Sequence, residues 1–522
     1  LFSGIFYLGL PFSLILFSIG NGLYQIATVM VIAGWWSWER YIKSEKLRWV
    51  YGAVTLGVVV LFINLSSFLS FSIGLMLLIL LSDKNKWFDK FVVLSLTLAT
   101  SVFLASSWYT PRFWLVLLSN PSFAGQPLIR ITSWIIQIVL VLIPLVVGIW
   151  VVQKRYRLSS KLIRFTVIFL ASFGFLTLIR FLSDIDFWID WSGYGLELQI
   201  GLALLLPVLL SYLVKLRRWS FIVIGLSLTL CLVNIGLFWN LFSKNAAEIK
   251  TYKKEIQDLI NIDDHWGNQR IFLSGSPVFW LGSRVPGLLQ VRGNRDEAAT
   301  HKTWAMGAYE IREGQDNDLL LAWMKILGVS RLLLHTSESR DFFHDFKNVD
   351  RFSQLDVLVE NDGDRYLAYS SGFLARVADE NILTLPGPKE GNDRVNIITY
   401  ASQLKEAVEV HVSQADHMDI NLANGLSDNQ IISLAVAYDT GWQELHGASL
   451  SADSYGNTAI LPKPGQTAFT LVYREPWFGR VVSVLVAGLT LLSVHKVGLI
   501  TAFLKKRSPS ISTLHIDEED QY

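Results

Sequence analysis

The chain has 522 residues, and its net charge of +1 points to no partner class; no basic stripe suggests nucleic acid. Hydrophobic residues make up 52% and charged residues only 17%, where an ordinary soluble domain carries about 25% charged residues. One cysteine, Cys231, excludes an intrachain disulfide, and no Cys-His cluster has zinc spacing.

The shortage of charge is uneven along the chain. Residues 1–243 and 477–504 read as apolar runs, while 244–476 read as an ordinary globular region. Crossing a bilayer takes about 20 apolar residues, with about 17 as the lower limit. Ten runs are candidate spans: 3–19, 22–38, 48–63, 66–82, 91–108, 134–152, 162–182, 196–214, 219–242 and 477–496. Basic residues cluster in every second loop. They are Arg40, Lys43, Lys46 and Arg48; Lys84, Lys86 and Lys90; Lys154, Arg155, Arg157 and Lys161; Lys215, Arg217 and Arg218; and Lys505, Lys506 and Arg507. The positive-inside rule makes these loops cytoplasmic. The expectation is a polytopic α-helical membrane domain (1–243) in the plasma (inner) membrane, multi-pass. Residues 244–476 would then be extracytoplasmic, 477–504 the final transmembrane helix and 505–522 a cytoplasmic tail. The chain opens at Leu1, inside an apolar run without a charged flank, which suggests that its N-terminus is incomplete.

The globular region reads as two modules. Lys250, Lys253, Lys254, Glu255 and Asp258 have helical spacing, as an exit helix would. Arg270 to Pro277 is a short apolar run stopped by turn residues, hence a strand. Asn317 to Leu327 has helical spacing, and Gly328 to His335 is a second buried strand. Strand, helix, strand implies an α/β module over 244–392. From 393 to 476, alternating runs (Val408 to Val412, Ile431 to Tyr438, Ala459 to Leu461, Phe469 to Tyr473) are separated by Asn424-Gly425, Tyr455-Gly456-Asn457 and Pro464-Gly465. That pattern implies an antiparallel β-sandwich.

The order Tyr438-Asp439-Thr440-Gly441-Trp442, Tyr455-Gly456-Asn457, Leu461-Pro462-Lys463-Pro464-Gly465, Phe469 to Tyr473, then Pro476 before an apolar helix resembles the C-terminal part of YfhO-like bacterial membrane proteins. Arg270 to Pro277 and Leu327-Gly328-Val329-Ser330-Arg331-Leu332-Leu333 resemble that family's periplasmic region. The resemblance covers roughly residues 260 to 500. It implies membership of the GT-C class of multispan glycosyltransferases, which take a sugar from a polyprenyl-phosphate donor and transfer it on the outer face to an envelope glycan or lipid. The catalytic acid of such enzymes sits in the first outer loop. Here the first acidic residue is Glu39, on the side expected to be cytoplasmic, so no residue of this chain matches it.

Candidate chemistry therefore rests on other residues. Asp184, Asp186 and Asp190, with Trp188 and Trp191, form an acidic, aromatic loop. A carboxylate there can deprotonate an acceptor hydroxyl or hold a divalent cation, and aromatic faces suit sugar rings. The same composition also suits a plain interfacial anchor. Arg180, within an apolar run, is a candidate phosphate clamp or a snorkelling cation. Arg112 and Arg130 flank the loop Tyr109 to Ser133, a candidate cap over the donor lipid or a surface connector. Asp263-Asp264-His265 before Gly267 reads as a helix end. Arg292, Asn294, Arg295, Asp296, His301 and Lys302 read as a solvated face or an acceptor site. Two other functional classes fit the same sequence: a transporter or flippase, and a non-catalytic envelope assembly protein.

Overall fold

A computed structural model describes residues 22–82, 87–106, 108–114, 161–183, 195–213, 220–261, 269–281, 288–291, 300–341, 343–414, 416–427, 429–474, 479, 481–489 and 492. The chain divides into two compact units. One comprises Leu1–Pro111, Gln137–Asn240 and Phe478–Tyr522; the other comprises Arg112–Ile136 and Leu241–Trp477.

The first unit is helical. Its described elements are α1 (Gly22–Ser44), α2 (Leu47–Ile63), α3 (Leu65–Leu80), α4 (Trp87–Ala105), α5 (Lys161–Ser183), α6 (Gly195–Leu213) and the start of α7 (Ser220–Ile260). Asn64 adopts an extended conformation that ends α2, and its side chain caps α3 by accepting from Ser67 N at 3.2 Å. The core is apolar and aromatic. Trp35 of α1 packs edge-on against Phe169 of α5, ring centroids 5.0 Å apart, and its indole N–H donates to Phe71 O at 3.1 Å. Glycines make the α1–α3 approach close. A Cβ on Gly74 would lie 2.1 Å from the Trp35 ring, and one on Gly34 would lie 2.2 Å from the Phe71 ring.

This unit corrects the expectation of a polytopic membrane domain. Among the described residues one helix, α4, is long and apolar enough to cross a bilayer, with 19 residues and a mean hydropathy of 1.6 over its best window. The apolar helices α2 and α3 have 17 and 16 residues, at or below the crossing limit. Their apolar side chains, Val50, Val54, Val60, Phe71 and Leu75 among them, are consumed in a shared core. The ten-span, multi-pass plasma-membrane arrangement is therefore not upheld. The extracytoplasmic placement of 244–476 that rested on it falls with it. The expected spans at 3–19 and 134–152 lie outside the described residues.

The second unit is mixed. It takes in the end of α7, then β1 (Arg270–Phe272), α8 (Pro277–Trp280), β2 (Leu289–Gln290), α9 (Trp304–Glu313), α10 (Asn317–Ile326), β3 (Arg331–His335), β4 (Asp356–Asn361) and β5 (Asp364–Ala368). Asp316 caps α10 through Asp318 N at 2.8 Å and Leu319 N at 3.2 Å, and Gly328 at φ +64° turns the chain out of the helix into β3. The buried α10 side chains Leu319, Leu320, Trp323 and Met324 share a core with Leu332, Leu334 and Leu367. The five strands run in the order β2-β1-β3-β5-β4. β1 is parallel to β2 and β3, and β5 is antiparallel to β3 and β4.

Downstream lie β6 (Ala375–Asp379), α11 (Arg394–Gln403), β7 (Leu404–Gln414), β8 (His417–Asn421), β9 (Gln430–Ala437), β10 (Trp442–Glu444), β11 (Ser449–Ala452), β12 (Asn457–Leu461) and β13 (Ala468–Tyr473). They form one sheet, β10-β13-β8-β7-β6-β9-β12-β11, curled toward a barrel, instead of the expected two-sheet sandwich. The cause is β7. Its first part pairs with β6 (Leu404↔Ala378 to Val408↔Ala375) and its second with β8 (Glu409↔Asn421 onward), so one long strand joins both halves. Register shifts at Arg376/Ala378 and Val412/Gln414 add local twist and let the sheet curl.

Candidate functional site

The helical unit buries one carboxyl group among its described residues, Glu197 in the first turn of α6, 1% exposed. Its carboxylate meets Tyr24 of α1, with Tyr24 Oη 2.9 Å from Oε1 and 2.8 Å from Oε2, and Ser70 of α3, whose hydroxyl donates to Oε1 at 2.8 Å. Tyr24 and Ser70 are themselves 2% and 1% exposed. Three helices thus converge on one carboxyl group, and among the described residues no cation pairs with it.

A bare carboxylate buried without a counter-ion costs several kcal/mol. Hydrogen bonds to a charged acceptor return about 1.5–3 kcal/mol each, and the first turn of a helix favours negative charge by about 0.3–1 kcal/mol. The site is therefore tolerable for an ion but not optimised for one. Its geometry fits two protonation states. Tyr24 has one hydroxyl proton but contacts both carboxyl oxygens. With Glu197 ionised, Tyr24 shares that proton between them. With Glu197 protonated, the carboxylic acid can donate to the Tyr24 oxygen while Tyr24 and Ser70 donate to the other carboxyl oxygen. A carboxyl group whose neighbours can hydrogen-bond it with and without its proton is suited to accept and release one.

A second polar cluster lies in the mixed unit, at the carboxyl ends of the parallel strands β1 and β3, where open α/β sheets usually bind ligands. His335 Nδ1 is 2.7 Å from Asp364 Oδ1, and Ser339 donates to the same oxygen at 2.6 Å. These are triad residue types in a different connection. Ser339 bonds to the carboxylate and not to the imidazole, and the second imidazole nitrogen is taken by Ser274 O at 3.1 Å. Among the described residues the imidazole therefore has no free nitrogen with which to activate the Ser339 hydroxyl. Burial alone would lower the His335 pKa, but the Asp364 bond and the charges of Asp341 and Asp364 outweigh it and hold the ring above its ordinary value. Asp341, pushed up by burial, fills the turn after β1. It accepts from Ser276 N at 3.2 Å, Phe343 N at 2.7 Å and Tyr252 Oη at 3.3 Å. The protein's own carboxylate thus takes the backbone donors an anionic ligand would need.

A third network surrounds the Tyr455-Gly456-Asn457 turn. Asp453 Oδ1 accepts from Tyr455 N and Asn457 N, both at 2.9 Å, and Tyr400 donates to its other oxygen. His301 Nε2 lies 2.8 Å from Asn457 Oδ1. Burial pushes Asp453 up to about 6 and His301 down to about 4.

The residues singled out from sequence distribute unevenly. Arg112 pairs with Asp439 and lies 3.3 Å from Thr440 Oγ1, so its guanidinium braces the loop before β10. Arg180 falls in the last turn of α5. Asp184, Asp186, Trp188, Asp190, Trp191 and Arg130 lie outside the described residues, as do Asp263, Asp264 and His265 and the stretch Arg292 to Asp296. His301 is buried instead of facing solvent. Among the described residues no three His, Cys, Asp or Glu side chains converge on a point that could hold a metal. Sequence reasoning passed over Glu197. The available signal was a lone carboxylate inside the apolar run 196–214, seven residues after Asp190. No family model, curated protein or solved structure matches the chain.

Proposed function

We propose that the chain is a sugar-transfer protein in which Glu197 is the proton acceptor. The observation that carries this reading is the Tyr24–Glu197–Ser70 cluster, a buried carboxyl group that no cation pairs with among the described residues, whose hydrogen bonds serve both protonation states. The resemblance of residues 260 to 500 to YfhO-like proteins supplies the reaction class: a sugar passes from a polyprenyl-phosphate donor to a glycan or lipid acceptor. In the step proposed, an acceptor hydroxyl attacks the anomeric carbon and its proton passes to Glu197. The bond between that carbon and the phosphate oxygen breaks, and polyprenyl phosphate leaves with the electron pair. Ser70 and Tyr24 orient the carboxylate, and exclusion of water keeps hydrolysis from competing.

A second reading, an assembly protein that binds glycan without turning it over, is favoured by the mixed unit, whose curled sheet carries an exposed polar cleft. Incubating the purified chain with a radiolabelled polyprenyl-phosphate sugar and a glycan acceptor separates the two. Label appearing in the acceptor with equimolar release of polyprenyl phosphate is the outcome expected. Saturable retention of acceptor with no transfer of label would overturn the transferase reading in favour of the assembly role.

A further inference from the structure

The mixed unit has a cleft of about 570 Å³ that the proposed transfer step leaves unused. One wall is the end of β6 and the 3-10 turn after it, Glu380–Leu383; the other is formed by Ser427, Asn429 and Gln430 at the entry to β9. The two walls are fastened by backbone. Asp379 is paired in register with Gln430, and Glu380 N donates to Asn429 O at 2.9 Å. The turn at Asn429 takes the left-handed conformation, φ +69°, which Asn tolerates better than most residues. The sheet thus fixes the register of the two walls.

Its chemistry narrows the ligand. Lys405 beside it is committed to Asp379, and among the described residues no Lys or Arg lines the cleft, so they offer an anion no charge partner. Leu383 is the one large apolar side chain among the described lining residues, so an apolar ligand gains little from them. Glu380, Ser427 and Asn429 are exposed, and among the described residues their side chains make no hydrogen bond or ion pair. They offer a carboxylate that only accepts, a hydroxyl that does both, and an amide that does both. Adjacent hydroxyls of a sugar ring match that set, each donating to one group and accepting from the next.

We infer that this cleft binds a neutral oligosaccharide through Glu380, Ser427 and Asn429. The inference rests on the sugar-handling reading above and gives it an acceptor site. The test is calorimetric titration of the full chain with cellohexaose and with chitohexaose, using trigalacturonate as the anionic control. It is run on the parent chain, on E380A and on N429G; glycine keeps the positive φ of residue 429 without strain. Saturable binding of at least one neutral hexaose, weakened about tenfold or more in both variants and absent for trigalacturonate, is expected. No saturable binding of either hexaose, binding unchanged in the variants, or equal binding of the anion would each overturn the assignment. Repeating the titration on E197Q separates the two proposals. Hexaose binding that persists in a chain without transfer activity leaves the cleft standing whatever becomes of the transfer step.

Discussion

Replacing Asp453 with Asn should change the stability of the mixed unit by an amount that depends on pH. In the folded chain the Asp453 carboxyl is 6% exposed and is raised by burial from 3.8 to about 6, despite the hydrogen bonds from Tyr400, Asn457 N and Tyr455 N. A folded pKa above the unfolded one favours the protonated form in the fold. That stabilisation is complete below about 3.8 and is lost as pH rises through about 6. At about 1.4 kcal/mol per pH unit the rise is worth about 3 kcal/mol in all; the unfolded carboxyl is already more than half ionised at pH 4, so about 2 kcal/mol of it is lost between pH 4 and pH 7. Asn keeps the acceptor for the two backbone amides and cannot titrate. The stability of Asp453→Asn relative to the parent should therefore improve by about 2 kcal/mol from pH 4 to pH 7. Pulse proteolysis in urea at half-unit pH intervals, applied to both full-length chains, reads the difference directly. A difference that stays flat across this window, or that moves in the parent's favour with rising pH, would refute the placement of Asp453 in a water-poor network.

His301 has the opposite sign. Its folded pKa is lowered from 6.5 to about 4 by burial, so its contribution is complete above 6.5 and is lost as pH falls through 4. In the parent the two groups nearly cancel between pH 4 and 6, and His301→Gln should expose the Asp453 slope, with stability rising on acidification in the same proteolysis assay. Gly74→Ala would place a methyl 2.1 Å from the Trp35 ring and should cost about 1–3 kcal/mol by overpacking, read as a lowered thermal midpoint; an unchanged midpoint would mean that α1 and α3 are not so close. Arg112→Ala should leave Asp439, 8% exposed, without its cation. It should loosen the Asp439–Trp442 loop by about 1–3 kcal/mol, seen as faster amide hydrogen exchange at Gly441 and Trp442.

Local chemistry was largely readable from the sequence. The Asp316 cap and the apolar spacing of Leu319, Leu320 and Trp323 mark α10, and Gly328 marks its end. Tyr455-Gly456-Asn457 is a turn because Gly456 carries φ +92°, a conformation few other residues adopt. Long-range pairing was not readable. The alternation of residues 404–414 says that β7 is a strand, but not that it pairs with β6 along one half and β8 along the other, which is what makes one curled sheet of two. Apolar run length also misled. Val50, Val54, Phe71 and Leu75 look alike whether they meet lipid or one another, and here they meet one another. Glu197 was hidden for a related reason. As an acid in a first helical turn it looks like ordinary end chemistry, and its partners lie 173 and 127 residues away in sequence.

The buried carboxyl group is what the functional account stands on, and Glu197→Gln interrogates it alone. The amide keeps the shape and an acceptor for Ser70 but cannot take a proton. Measured on one preparation, the unfolding midpoint should hold or rise, since a costly buried acid is gone, while sugar transfer from the polyprenyl-phosphate donor should fall about 10²–10⁴-fold. A folded E197Q chain that transfers sugar at the parent rate would contradict the account.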